Sequence, residues 1–123
     1  NSSAASCLAE VEFWEYPDPA DMTLVSEAFE ATAQPDEALL VTLLEEVDSV
    51  TLDTDLLAYV SRDNGTTWSQ APLSVASAYD VGVSVLTGLA NLSSDPAGID
   101  MLWKLVTANN KDMQIHGVAV MWR

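Results

Sequence analysis

The chain has 123 residues, 49% of them hydrophobic, with 19 acidic residues against four basic ones and a formal net charge of −15. That length suits one domain around one core, and the hydrophobic share excludes a disordered chain. The charge excludes nucleic-acid binding, which needs clustered Lys and Arg, and no apolar run approaches the roughly 18 residues that cross a bilayer.

An anionic membrane surface is disfavoured by the same charge. The acidity keeps a surface solvated and self-repelling; a cation-binding face is the sharper alternative. Cys7 is the single cysteine and His116 the single histidine. No intrachain disulfide and no thiolate cluster can form, and a Ser-His-Asp triad or a histidine–zinc site would have to use His116. We expect no cofactor, no metal ligand set and no catalytic residue. The first residue is Asn1, and "NSSAASCLAE" has no basic n-region of the signal-peptide kind. The expectation is a processed chain or a piece of a longer one.

Residues 1–20 read as an irregular arm or linker, with one edge strand at 11–16, "VEFWEY"; residues 21–123 read as the domain. Turn signals follow at "YPDP" (16–19), "QPD" (34–36), "RDNG" (62–65), "SSDPAG" (93–98) and "NNKD" (109–112). Between them, "DEALLVTLLEEV" (36–47) places Leu39, Leu40, Leu43, Leu44 and Val47 at helical spacing behind Asp36 as an N-cap. The same residues also suit a central strand covered on both faces. "VGVSVLTGL" (81–89) sets Val81, Val83 and Val85 on one face. "MLWKLVT" (101–107) alternates Met101, Trp103 and Leu105 against Leu102, Lys104 and Val106. "QIHGVAVMW" (114–122) puts Ile115, Ala119 and Met121 opposite His116, Val118, Val120 and Trp122. Short strands at this spacing predict an all-β protein, an antiparallel β-sandwich of jelly-roll-like form.

"SRDNGTTW" (61–68) is the most informative stretch. Asp63 can accept hydrogen bonds from turn amides, Asn64-Gly65 supplies the positive φ of a tight hairpin, Ser61 can bond across the turn, and Trp68 covers it with apolar area. Ser61, Asp63, Gly65 and Trp68 fill every defined position of the pattern Ser-x-Asp-x-Gly-x-x-Trp, the Asp-box. The motif is familiar from sialidases and related propellers, where it is a folding device on outer hairpins. One copy in 123 residues excludes a complete propeller. An EF-hand reading fails, because positions 3, 5 and 12 counted from Asp63 would be Gly65, Thr67 and Ser74.

Other candidates are weaker. "LDTD" (52–55) sets Asp53 and Asp55 on one side of a strand end, where a surface cation could sit. Trp14, Tyr16, Tyr79 and Trp103 could stack on a sugar, although aromatics at alternating spacing usually belong to a core. Glu45 and Glu46 would point apart on a strand and so cannot face each other as a glycosidase pair. His116 reads as a hydrogen-bonded or edge histidine. Asn64 and Asn91 stand in glycosylation sequons that no secretory signal supports.

The chain resembles a C-terminal domain of structural proteins of tailed bacteriophages. The likeness runs in order through "MTLVSEAFEATAQPDEALLVTLLEEVDSVTLDTDLLAYVSRDNGTTW", "LTGLANLSSDPAG" and "MLWKLVTANNKDMQIHGVAVMW", about residues 22–122. It implies a β-rich component exposed on the virion and favours strand for 36–47. It transfers no catalytic residue. The expected function is a non-enzymatic virion structural protein, from a tail, a fibre or the capsid surface, in contact with other virion proteins and with a host-surface glycan as a candidate ligand. The alternatives are a lectin-like carbohydrate-binding module and a fragment of an Asp-box glycosidase. A homo-oligomer is expected, a trimer by analogy with fibres and spikes. Its interface is sought on the strands with two apolar faces, at Trp103, Val118, Val120 and Trp122.

Overall fold

A computed structural model of the protein describes residues 7–9 and 21–123. Ten strands are found among them: β1 (Cys7–Ala9), β2 (Thr23–Val25), β3 (Phe29–Glu30), β4 (Glu37–Glu46), β5 (Leu56–Ser61), β6 (Ser69–Gln70), β7 (Leu73–Asp80), β8 (Val83–Asn91), β9 (Asp100–Thr107) and β10 (Met113–Trp122). All their pairings are antiparallel. One sheet has the order β1-β10-β4-β8-β7 and the other β2-β9-β5-β6, with β3 joined to the far end of β9. The protein is an all-β antiparallel sandwich. With β3 and β7 set aside, the remaining eight strands run 1-8-3-6 in one sheet and 2-7-4-5 in the other, the order of a jelly roll. The edge strand expected at 11–16 lies outside the described residues; within the expected arm, Cys7–Ala9 pairs with Val118–Val120.

The core comes from period-two alternation. In β9, Met101, Trp103 and Leu105 face inward, as their spacing predicts. They meet Leu56, Ala58 and Val60 of β5 on the same sheet and Leu40, Leu44, Leu86 and Ile115 of the other. Segment 36–47 contains a strand and no helix: β4 buries Ala38, Leu40, Thr42 and Leu44 and turns Leu39, Val41 and Leu43 outward. Its leucines carry a helical period, but β8 and β10 take its backbone hydrogen bonds on both sides. Sheet pairing over ten residues outweighs a helical propensity of a few tenths of a kcal/mol per residue.

β10 departs from strict alternation. Ile115 pairs with Leu44 while Gly117 pairs with Leu43, so His116 is the extra residue of a bulge. The bulge reverses the phase. Ile115 faces inward together with Val118 and Val120, which the simple alternation set on opposite sides. Thr42, buried beside the bulge, donates its hydroxyl to the Gly117 carbonyl at 2.7 Å.

This corrects the residues sought as an oligomer interface. Trp103, Val118 and Val120 are 2%, 0% and 0% exposed and belong to the core of a single chain. Two apolar faces on their strands reflect a central position and, in β10, the bulge. Trp122 is half-buried and stacks obliquely on Phe29, with ring centroids 5.3 Å apart.

Where the chain passes from β6 in one sheet to β7 in the other, Ala71 donates its N–H to Ala58 O. There a side chain at Gly88 would stand 2.8 Å from the Ala71 carbonyl and 2.9 Å from that of Pro72. Glycine lets the crossing chain lie directly on β8.

Candidate functional site

The Ser61–Trp68 segment closes as its residues predict, although as a seven-residue loop between Ser61 and Ser69 and not as a two-residue hairpin. Asn64 and Gly65 take φ of 59° and 85°, and Thr66 N–H bonds Asp63 O across them. Ser61 Oγ donates to Asp63 Oδ1 at 2.8 Å and accepts from Gly65 N at 2.9 Å. Asp63 Oδ1 also accepts from Thr67 N at 2.8 Å. Burial pushes the Asp63 carboxyl up, but the Thr67 N–H, the Ser61 hydroxyl, the Thr67 side chain and its own N–H outweigh it, so the group lies below its ordinary 3.8. Trp68 covers Gly65, whose added Cβ would meet the indole at an ordinary 3.5 Å.

Arg62, one of the four residues that the motif's pattern leaves open, proves central. Its side chain is 3% exposed. Nε donates to Pro96 O at 3.0 Å, Nη1 to Pro35 O at 2.8 Å, and Nη2 to Asp95 O. Asp36 lies 3.8 Å away but is 76% exposed, so solvent screens that pair and the carbonyls carry the compensation. One guanidinium thus ties the loop before β4 and the loop after β8 to the end of β5. The second loop passes so close that a Cβ on Gly98 would fall 2.2 Å from Arg62 O. Asn64 N–H to Asp100 O and Ser69 Oγ to Asp95 Oδ2 close the corner.

On the outer face of the same sheet, Lys104 Nζ stands 4.4 Å from the Trp68 ring centroid and 4.9 Å from that of Tyr59. Cross-strand register brings them together, since Tyr59 pairs with Lys104 on one side and with Gln70 on the other. All three side chains are half-buried. Among the described residues, this lysine in a chain of 19 acids forms no salt bridge and rests instead on two aromatic faces.

Asp53 and Asp55 do not share a strand end. They lie in the turn before β5, with Asp53 at φ 65°. Asp53 Oδ1 accepts from Leu73 N at 3.0 Å. Asp55 accepts from Thr51 N at 2.9 Å and from Asn109 Nδ2 at 2.6 Å. The Thr51 N–H, then Asn109, and more weakly the charge of Lys111, hold its carboxyl below the ordinary value against burial. Among the described residues no group of three His, Cys, Asp or Glu side chains is placed to hold a metal ion. His116, the bulged residue, pairs its Nε2 with Glu45 Oε1 at 2.8 Å, a hydrogen-bonded histidine.

Of the aromatics considered for sugar stacking, Trp103 is core and Tyr79 is 65% exposed; Trp14 and Tyr16 lie outside the described residues. Sequence reasoning missed Arg62, Gly98 and the Tyr59–Trp68–Lys104 cluster. The one available signal was scarcity, four cations in the chain with one inside the motif. The carbonyls that Arg62 binds carry no sequence signature. Fold and corner together define a jelly-roll sandwich braced at one end by a buried arginine. No protein-family model and no curated protein matches the chain.

Proposed function

We propose that this domain is a non-enzymatic structural component of a tailed-bacteriophage particle, located in the virion and in contact with other virion proteins. One observation carries the non-enzymatic part. Three charged side chains drawn into the fold, Arg62, Asp55 and Asp63, are bonded to backbone and turn groups of this chain and serve to hold loops in place. The strand order supports the setting by analogy, because jelly rolls recur in viral capsid and lectin domains; an analogy of fold speaks to setting and not to chemistry. The assignment to a phage particle rests on the resemblance over residues 22–122. Gold labelling of intact particles with an antibody to this chain, together with mass spectrometry of gradient-purified particles, tests it. The chain is expected at a fixed copy number per particle. Its absence from particles, or turnover of glycosides by the purified chain, would overturn the reading.

A carbohydrate-binding module is the second reading, favoured by the half-buried Tyr59 and Trp68 beside Lys104. An aromatic ring face can receive the apolar C–H face of a pyranose, and the ammonium can bond a hydroxyl or carboxylate. A glycan array probed with wild type and with Tyr59→Ala decides it. Binding that the substitution abolishes, without loss of the folded state, selects this reading; a blank array removes it.

A further inference from the structure

The hairpin formed by β7 and β8 differs from the rest of the sandwich. Every residue of β7 from Ser74 to Asp80 is exposed. Val75 pairs with the buried Leu86 and shares its inward face, yet Val75 is 60% exposed, so the opposite sheet stops short of it. Beyond that point β8 stays paired with β4, Val83–Val85 opposite Leu43–Glu45, and is half-covered, while β7, the outer strand of the hairpin, is wetted. Tyr79 is 65% and Val81 96% exposed near the hairpin tip.

Its composition is as unusual as its exposure. From Ala71 to Ala90 the only charged side chain is Asp80, in a chain that is 19% charged. Among the described residues β7 ends its sheet, with β8 as its one neighbour. Open edges are ordinarily guarded by charge, by proline within the strand or by bulges. This edge has bulges at Val75/Ser77 and Ala78/Asp80, which bend it without adding charge.

We propose that the β7–β8 hairpin is a self-association arm, with β7 pairing antiparallel to β7 of a second copy of this chain. Charge selects the occupant. A basic partner would be drawn to the acidic remainder of the surface. A second copy carrying the same −15 meets least repulsion at the stretch that has almost no charge. Pairing of one edge with itself is isologous, so it closes as a two-fold dimer. The axis falls near Ser77 and joins the two five-stranded sheets into one continuous sheet. Val75 and Tyr79 of each copy then gain cover that their own chain does not provide. The arm takes the place of the core residues Trp103, Val118 and Val120 as the seat of association, with two-fold and not three-fold symmetry. It stands whether or not the domain belongs to a phage particle.

Sedimentation equilibrium on the full chain tests this, in low salt and in about 0.5 M NaCl, where charge is screened within roughly 4 Å. The expected result is a dimer that tightens with salt. In Val75→Glu/Ser77→Glu, which alters only exposed positions, dimerisation should weaken at least about 100-fold, roughly 2.7 kcal/mol, with the melting temperature of the monomer unchanged. In a Cys7→Ser background, cysteines placed singly at Val75, Ser77 and Tyr79 should give an oxidised dimer from at least one position, since directly paired strands bring side chains within disulfide reach. A monomer at both salt concentrations, a trimer, a dimer indifferent to the two glutamates, or no cross-link at any of the three positions would each overturn the proposal.

Discussion

Two connections in this sandwich turn at a glycine of positive φ, Gly65 after β5 and Gly82 after β7, and there the likeness ends. At the first, Ser61 and Asp63 bond the turn amides, Trp68 covers the bend and a buried Arg62 pins two further loops to it. At the second, one side chain serves the turn, Asp80 Oδ1 accepting from Val81 N, and the strand leading into it is exposed from Ser74 onward. The braced corner satisfies its buried polar groups within the chain. The arm leaves apolar side chains and a sheet edge in water. A short loop therefore becomes a rigid joint or a docking element according to what else converges on it, and not according to the turn alone.

The contrast can be broken from either side. Arg62→Met should cause the largest loss. It strips donors from three carbonyls of two loops, each worth about 1–3 kcal/mol when left unpaired, and we expect about 3–5 kcal/mol in total. Calorimetry should then show a melting temperature lower by at least about 10 °C. A drop of only a degree or two would mean that the loops hold themselves. Gly98→Ala comes next, since its methyl would stand where Arg62 O prevents it from fitting. About 2–4 kcal/mol is expected by urea denaturation, within the range for core overpacking and backbone strain.

Asp63→Ala should cost about 1–3 kcal/mol at neutral pH. The pH dependence sharpens this expectation. The Asp63 and Asp55 carboxyls both lie below the ordinary 3.8 when folded. Their contribution is therefore complete above the unfolded value and is lost as pH falls through the lower folded value. Wild type should lose stability on acidification below about pH 4, and the gap between wild type and Asp63→Ala should narrow over the same interval. A gap that stays constant down to pH 2 would show that the protonated side chain holds the turn equally well. At the other extreme, Val81→Ser on the arm should change monomer stability by less than about 0.5 kcal/mol. A loss above 1 kcal/mol would mean that the tip is packed within its own chain.

The motif's chemistry was legible before any fold was known, because Ser61, Asp63, Asn64 and Gly65 act on amides within four positions of themselves. The alternation of β9 was legible for a similar reason: an unbroken strand sorts its faces by counting. The same counting failed in β10, where the extra residue at His116–Gly117 moved Val118 and Val120 to the side of Ile115. It also left 36–47 divided between helix and strand, a choice that β8 and β10 made by pairing with both edges.

By itself, then, the sequence determined an all-β chain, its acidic character and the local design of one turn. These depend on residue type and near-neighbour spacing. Tertiary structure decided that Trp103, Val118 and Val120 are core, that Arg62 is a clamp and that the charge-poor stretch from Ala71 to Ala90 ends in an open edge. Each depends on partners far away along the chain. Arg62 meets carbonyls 27 and 34 residues distant, and β7 is exposed only because the opposite sheet ends before reaching it.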